Sequence, residues 1–364
     1  MRNPERDWEQ ATRLSRDEVE SRVGPVERLE VLGGGLANAV ARIDQERVFR
    51  LYRRDPTSCR KEARLLKMPW QSFRVPRVLE QGEDFLVLEF VPHAPLTRED
   101  GFVVGRALAE IHQTTFVASG FLGSNLELER PFASLPQALL DYALSQLEGD
   151  PLRKSYADWM APLLPNLEKL SERPVLLHGD FKLSNLHRAG SDLLVLDWEF
   201  AYAGAALLDI GQLLRWRPPA GFMADFARGY GTLPHSWQAW AEVFDAVNLA
   251  ALMAGGRPVR ERLEETLAAD RPESDLEFVQ RLQREEQARR ALAFKRAVDE
   301  GHRRGKEPFE YERFRTLSQL RDYSDPQSLE YDYYVVWHRL DSLEEFARKL
   351  AISEQYDGGD LGES

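Results

Sequence analysis

The chain has 364 residues, 43% hydrophobic and 10% aromatic, with a formal net charge of −12. That length predicts two or three domains, and the acidic balance excludes a large basic surface for nucleic acid. A single cysteine, Cys59, excludes an internal disulfide framework and a cysteine zinc cluster.

The start is too charged for a signal peptide, and no apolar run reaches membrane-spanning length, which predicts a cytoplasmic protein without a membrane partner. Residues 1–20 read as a helical lead-in, with Ser15 and Glu18 as a capping box. Residues 21–92 read as a small antiparallel sheet with one helix. There "VERLEVLGGGLANAVARID" and "ERVFRLYRR" alternate apolar and polar residues around a glycine turn, and "TSCRKEARLLKMP" has helical spacing. "RVPRVLEQGEDFLVLEFVP" then gives two strands about a Gly-Glu-Asp turn.

Residues 93–270 are mostly helical, with "EDGFVVGRALAEIHQTTF" and "LPQALLDYALSQLEG" as amphipathic helices. Within them "ERPVLLHGD" and "SDLLVLDWEF" read as short buried strands bracketing a polar loop. Residues 271–356 read as a charged helical extension, and 357–364 as a disordered tail. In the extension Tyr333, Val336, Leu340, Leu343, Ala347 and Leu350 have heptad spacing. Only about two and a half heptads are present, which favours packing against the parent chain over a homodimer coil.

The bracketed loop carries the chemistry. Phosphoryl transfer needs a carboxylate at the acceptor hydroxyl, metal ligands on the phosphates and cations to spread the developing charge. Asp180 supplies the first, Asn185 and Asp197 the metal ligands, and Lys182 a cation within reach of the transferred group. His178 and Gly179 shape the turn that aims Asp180. A generic polar turn, or a zinc site on His178 and Asp180, leaves the order of these residues as coincidence.

"HGDFKLSN…LDWE" resembles the catalytic and metal-binding segments of the aminoglycoside phosphotransferase and choline kinase-like family, relatives of the protein kinases, over residues 21–270. The resemblance implies an α+β, bilobal protein kinase-like fold: a small antiparallel-sheet N-lobe, a mostly helical C-lobe and, here, a helical C-terminal extension. It implies Mg²⁺ and ATP, with GTP as an alternative donor, and a small-molecule acceptor with a hydroxyl group. It places Gly34 and Gly35 over the nucleotide phosphates, with Asn38 nearby. Arg50 stands where protein kinases usually carry lysine, and would pair with phosphate and with Glu62; Arg53 and Arg54 compete for that place. The Glu89 carbonyl and Val91 N–H would be the adenine contacts, followed by His93 where the family often has glycine. Asp209 would buttress the loop, and Glu199 would touch the metal shell or the acceptor, or lie in solvent.

Asp197 and Asp209 are only twelve residues apart, too close for a peptide-docking activation segment, so a small molecule is the better acceptor. Asp225, Glu242 and Asp245 are candidates for an aminoglycoside pocket, and Trp216, Tyr230, Trp237 and Trp240 for a quaternary ammonium. Ordinary surface and core positions explain both sets more economically. The alternative function is a kinase-like scaffold that binds nucleotide or a partner without transferring phosphate.

Overall fold

The computed structural model describes residues 13–32, 38–53, 55–219, 221–274 and 276–285. By its internal contacts the chain divides into one unit up to Pro272 and a second from Glu273.

The first unit begins with α1 (Arg16–Val23). The Ser15 hydroxyl accepts from Glu18 N (3.2 Å) while the Glu18 carboxylate accepts from Ser15 N (3.0 Å), the expected capping box. Five antiparallel strands follow: β1 (Leu29–Leu32), β2 (Ala39–Ile43), β3 (Arg47–Leu51), β4 (Val78–Gln81) and β5 (Phe85–Glu89), in the order β1-β2-β3-β5-β4. Their alternation sends Ala39, Ile43, Phe49, Leu51, Phe85 and Val87 into one apolar layer with Val19 and Val26. Arg50, out of phase with Phe49 and Leu51, therefore faces the opposite side, toward the rest of the unit.

Between β3 and β4 lies α2 (Pro56–Leu65), whose N-cap Asp55 accepts from Thr57 N (3.0 Å) and whose first residue is proline. The helix ends earlier than its apolar spacing suggests, but Leu66 and Met68 beyond it still pack on the main core. It buries Cys59, Glu62, Ala63 and Leu65 on one face.

The remainder is helical with short strands. In chain order these are β6 (Ala94–Pro95), α3 (Gly101–Ile111), β7 (Gly120–Leu122), β8 (Leu128–Pro131), α4 (Leu135–Gln146), α5 (Leu152–Met160), α6 (Leu164–Leu170), β9 (Val175–Leu177), β10 (Leu186–Ala189), β11 (Asp192–Val195), β12 (Tyr202–Gly204), α7 (Leu207–Leu214), α8 (Phe222–Tyr230), α9 (Trp237–Ala254) and α10 (Arg260–Ala268). They build two small sheets, β11-β10-β6 and β8-β7-β12-β9. Strands β6, β7, β8, β10 and β12 hold two to four residues each, too few to show a period in sequence.

The main core runs from Tyr52 to Leu263 and includes the fully buried Trp198, Trp240, Phe181 and Tyr156. Helices α3 and α8 approach so closely that a Cβ at Gly105 would stand 2.1 Å from the Phe226 carbonyl oxygen. This antiparallel-sheet lobe joined to a mostly helical lobe is a kinase-like fold.

In the second unit, residues 276–285 form a helix capped by Ser274, which accepts from Glu277 N (3.2 Å). The heptad-spaced segment and the expected disordered tail lie outside the described residues. Among the described residues no helix is long and apolar enough to cross a membrane.

Candidate active site

Strand β9 delivers the chain into the loop 178–185, and β10 and β11 form a hairpin with Leu186 opposite Val195. That hairpin explains the twelve-residue gap between Asn185 and Asp197: it folds the two together, and Leu196 N donates to the Asn185 carbonyl (2.9 Å). Strand β12 then runs beside β9, with Tyr202 opposite Leu177, so the segment after Asp197 returns to the loop.

The loop backbone is held from below by α7. Asp209, fully buried, accepts from His178 N (2.7 Å) and Gly179 N (2.9 Å). Gln212 accepts from Phe181 N (2.7 Å) and donates to the Gly179 carbonyl (2.8 Å). A Tyr230–His112 pair stands behind Asp209, with His112 Nε2 at 3.3 Å from its carboxylate. Gly179 has φ +80°, and a Cβ there would stand 2.2 Å from the Phe200 carbonyl oxygen, so only glycine fits before Asp180.

His178 uses both ring nitrogens on backbone: Nε2 donates to the Leu196 carbonyl (3.0 Å) and Nδ1 accepts from Asp180 N (3.2 Å). Neither nitrogen is left for a metal, which removes the His178–Asp180 zinc reading. Among the described residues no cluster of three or more His, Cys, Asp or Glu has metal-holding geometry.

Asp180 receives Asn185 Nδ2 (2.9 Å) and Lys182 Nζ (2.8 Å), both on Oδ2. Asn185 Nδ2 also donates to the Asp180 carbonyl (2.9 Å), which turns its carboxamide oxygen the other way. Asp197 sits at φ +71°, a left-handed conformation that a non-glycine residue holds only when its surroundings impose it. The surroundings here include Trp198, fully buried and stacked on Trp70 at 5.3 Å.

Arg50 is buried at the centre of an acidic cluster. Its Nη2 binds Asp197 Oδ1 and lies 3.1 Å from Glu199 Oε1, and its Nε lies 3.4 Å from Glu62 Oε2. This is no surface ion pair. Arg53 instead pairs with Glu18 (2.6 Å), and Arg54 is outside the described residues. Glu62 accepts from the Tyr52 hydroxyl and from Trp198 N (3.4 Å). Glu199 is not in solvent: its side chain is 10% exposed, and it accepts from Asn38 Nδ2 at 2.5 Å. Lys61, beside Glu62 on α2, donates to the Ala201 carbonyl (2.9 Å).

The electrostatics follow from three acids around Arg50, with Lys61 and Lys182 as further cations nearby. Burial raises the pKa of Asp197, but Arg50 outweighs it, with help from Lys182, and the net direction is down from the ordinary 3.8. Burial pushes Glu199 up to about 7, with Asp197 and Glu62 adding and Arg50 opposing. Burial likewise raises Glu62. Of the three acids, Asp197 is thus the one whose pKa the cluster lowers.

The predicted nucleotide-side residues divide. Gly34 and Gly35 lie outside the described residues, whereas Asn38, just after them, reaches Glu199. Glu89 ends β5, with its side chain paired to Arg74 (2.5 Å) and Arg77 (2.8 Å). Val91 is buried with Ala189 and Leu194, and its carbonyl accepts from His93 Nδ1 (2.7 Å). The structure therefore joins Asn38, Arg50, Glu62, Asp197 and Glu199 in one network and Asp180, Lys182 and Asn185 in an adjoining one, with Glu89 and Val91 in the connection between lobes.

The candidate acceptor acids are occupied by arginines: Asp245 by Arg215 (2.8 and 2.5 Å), Glu242 by Arg262 (2.7 Å) and Asp225 by Arg228 (2.6 Å). Of the candidate aromatics, Trp240 is buried in the core and Trp216 is exposed. The three acids are thus charge-balanced by arginines and Trp240 packs in the core, whereas Trp216 stays exposed.

Comparison with known proteins gives the same fold. The chain is similar to APH(2")-IIa in its gentamicin complex, at 18% identity over 70% of this chain and 95% of that one, with a TM-score of 0.53. It is also similar to the streptomycin–ATP ternary complex of APH(2")-IIa (17%, 69% and 94%, TM-score 0.51). A GDP complex of an aminoglycoside 2'-phosphotransferase-IIIa mutant matches at 14%, over 70% and 92%, with a TM-score of 0.52. No curated protein sequence matches the chain. A family model described as AvrRxo1 antitoxin matches residues 275–357, of which 276–285 are described. A model described as the phosphotransferase enzyme family, APH, matches residues 28–243, more than half the chain, and the chain belongs to that family.

Proposed function

We propose that the chain transfers the γ-phosphoryl group of ATP to a hydroxyl of a small molecule, with Asp180 at the acceptor. The observation that carries this reading is the hairpin that folds Asn185 against the segment of Asp197, beside an Asp180 already oriented by Asn185 and Lys182. Asp180 Oδ1, the oxygen not used by those two side chains, accepts the hydroxyl proton. The acceptor oxygen forms its bond to the γ-phosphorus as the bond to the bridging oxygen breaks, and ADP leaves. Lys182 and Arg50 stand as the cations for the transferred and retained phosphates.

One charged carboxylate and one carboxamide oxygen suit Mg²⁺, which is held by few protein ligands and completes its shell with water and phosphate oxygens. Asp197 and Asn185 would hold it, and it would supply charge neutralisation on the phosphates. Backbone of Glu89 and Val91 would receive the base. Similar folds holding ATP in one case and GDP in another support nucleotide use, with GTP as the competing donor. The test is phosphate transfer from Mg²⁺-ATP and Mg²⁺-GTP to aminoglycosides, amino alcohols and sugars. Turnover that depends on acceptor and is lost in Asp180→Asn supports the reading; a fully active Asp180→Asn protein defeats it.

A second reading concerns residues 275–357, whose match to an antitoxin family favours a partner-binding module joined to the kinase. Co-expression with AvrRxo1 tests it: the full chain should relieve growth inhibition and a chain ending at Pro272 should not. Equal failure of both removes this reading and leaves the enzyme untouched.

A further inference from the structure

Three carboxylates, Glu62, Asp197 and Glu199, share the single guanidinium of Arg50. One nitrogen, Nη2, serves both Asp197 and Glu199, whereas the buried Nε makes no hydrogen bond. Its contact with Glu62 Oε2 at 3.4 Å falls short of a hydrogen bond, so this buried N–H is not in its best possible geometry. Arg50 is also attached directly to the oxygen of the residue assigned above to the metal.

Resting on the phosphotransferase reading, we propose that Arg50 makes the site selective for a metal–nucleotide complex over a free divalent cation. A free cation must compete with the guanidinium for Asp197. A nucleotide brings phosphate oxygens that accept from Arg50, so the guanidinium turns from Asp197 to phosphate and the carboxylate passes to the metal. Arginine suits this exchange better than lysine because its planar fork reaches Glu62, Asp197 and Glu199 together and matches phosphate geometry. Metal and nucleotide then strengthen each other's binding, and the coupling is reciprocal. Asn38 belongs to the same exchange, since it holds Glu199 from the position just before β2.

The experiment is a titration of Mn²⁺, followed by electron paramagnetic resonance, into the full-length protein with and without ADP. Wild type should bind Mn²⁺ weakly alone and at least about tenfold more tightly with ADP. Arg50→Met should bind Mn²⁺ alone about tenfold more tightly than wild type and ADP about tenfold more weakly. Those opposite movements separate the proposal from loss of folding, which lowers both affinities. Arg50→Lys, which keeps a cation, guards against a misfolded methionine variant and should fall between. Equal affinity for Mn²⁺ alone in wild type and both variants, with ADP binding retained, overturns the proposal. Failure of wild type to bind either ADP or GDP with Mn²⁺ overturns the phosphotransferase reading and this proposal with it.

Discussion

Arg215 and Arg50 are comparably buried, with side chains 7% and 11% exposed, yet they meet their acids differently. Arg215 closes a two-pronged pair with Asp245, one charge to one, and Asn248 Nδ2 adds a third bond to the same carboxylate (3.0 Å). Arg50 faces three carboxylates and leaves one N–H unused. A balanced, fully satisfied pair holds helices together. A surplus of buried acid around one guanidinium is unfavourable for the fold alone, and the proposed exchange with a metal–nucleotide complex would relieve it.

The largest way to break this contrast lies next to it, at the loop. Asp180→Asn should lower transfer by about 10²–10⁴-fold while nucleotide affinity and melting temperature stay near wild type. Steady-state kinetics and calorimetry on one preparation check both halves.

Removing each arginine sharpens the comparison itself. Arg215→Met leaves Asp245 buried and unpaired and should cost about 3–5 kcal/mol in urea unfolding. Mn²⁺ should not restore that loss. Arg50→Met should also be destabilised, but Mn²⁺ at a hundred times its dissociation constant should return about 2–3 kcal/mol. Equal response of the two variants to Mn²⁺ would erase the distinction.

Asp209→Ala strips the acceptor from the His178 and Gly179 amides and should cost about 1–3 kcal/mol for each amide left without one. Transfer should fall with it, because the loop loses its support. The smallest effect concerns Cys59, whose thiol burial pushes up to about 12 from the ordinary 9.0. Ellman's reagent at pH 8 should label it only in unfolded protein. Between pH 9 and 12 the unfolded thiol ionises while the folded one stays neutral, so its contribution to stability falls as pH rises. Cys59→Ala should flatten that part of the unfolding profile.

What was legible in sequence follows from distance along the chain. Asp180, Lys182 and Asn185 lie within six residues, and the spacing to Asp197 is that of one hairpin, so motif and geometry coincide. Arg50 and Glu62 were legible because a strand and the next helix carry them. Glu199 was not, since nothing local distinguishes a solvated glutamate from one held by Asn38, which is 161 positions away. Asp225, Glu242 and Asp245 resembled a cationic pocket because Arg262 and Arg215, which neutralise two of them, come from other turns of the chain. Only the Asp225–Arg228 pair is local.

The attachment of the loop to α7 also bears on how such a protein can change its acceptor. Asp209 and Gln212 take three of the loop's amides, at His178, Gly179 and Phe181, and α7 itself is buried throughout. The carboxylate at 180 is therefore registered against the interior and not against the exposed segments around it. On the proposed reading, substitution could remodel those outer segments for a new alcohol while the position of Asp180 stays where α7 sets it. The reactive centre and the choice of acceptor would then be parts that substitution can change separately.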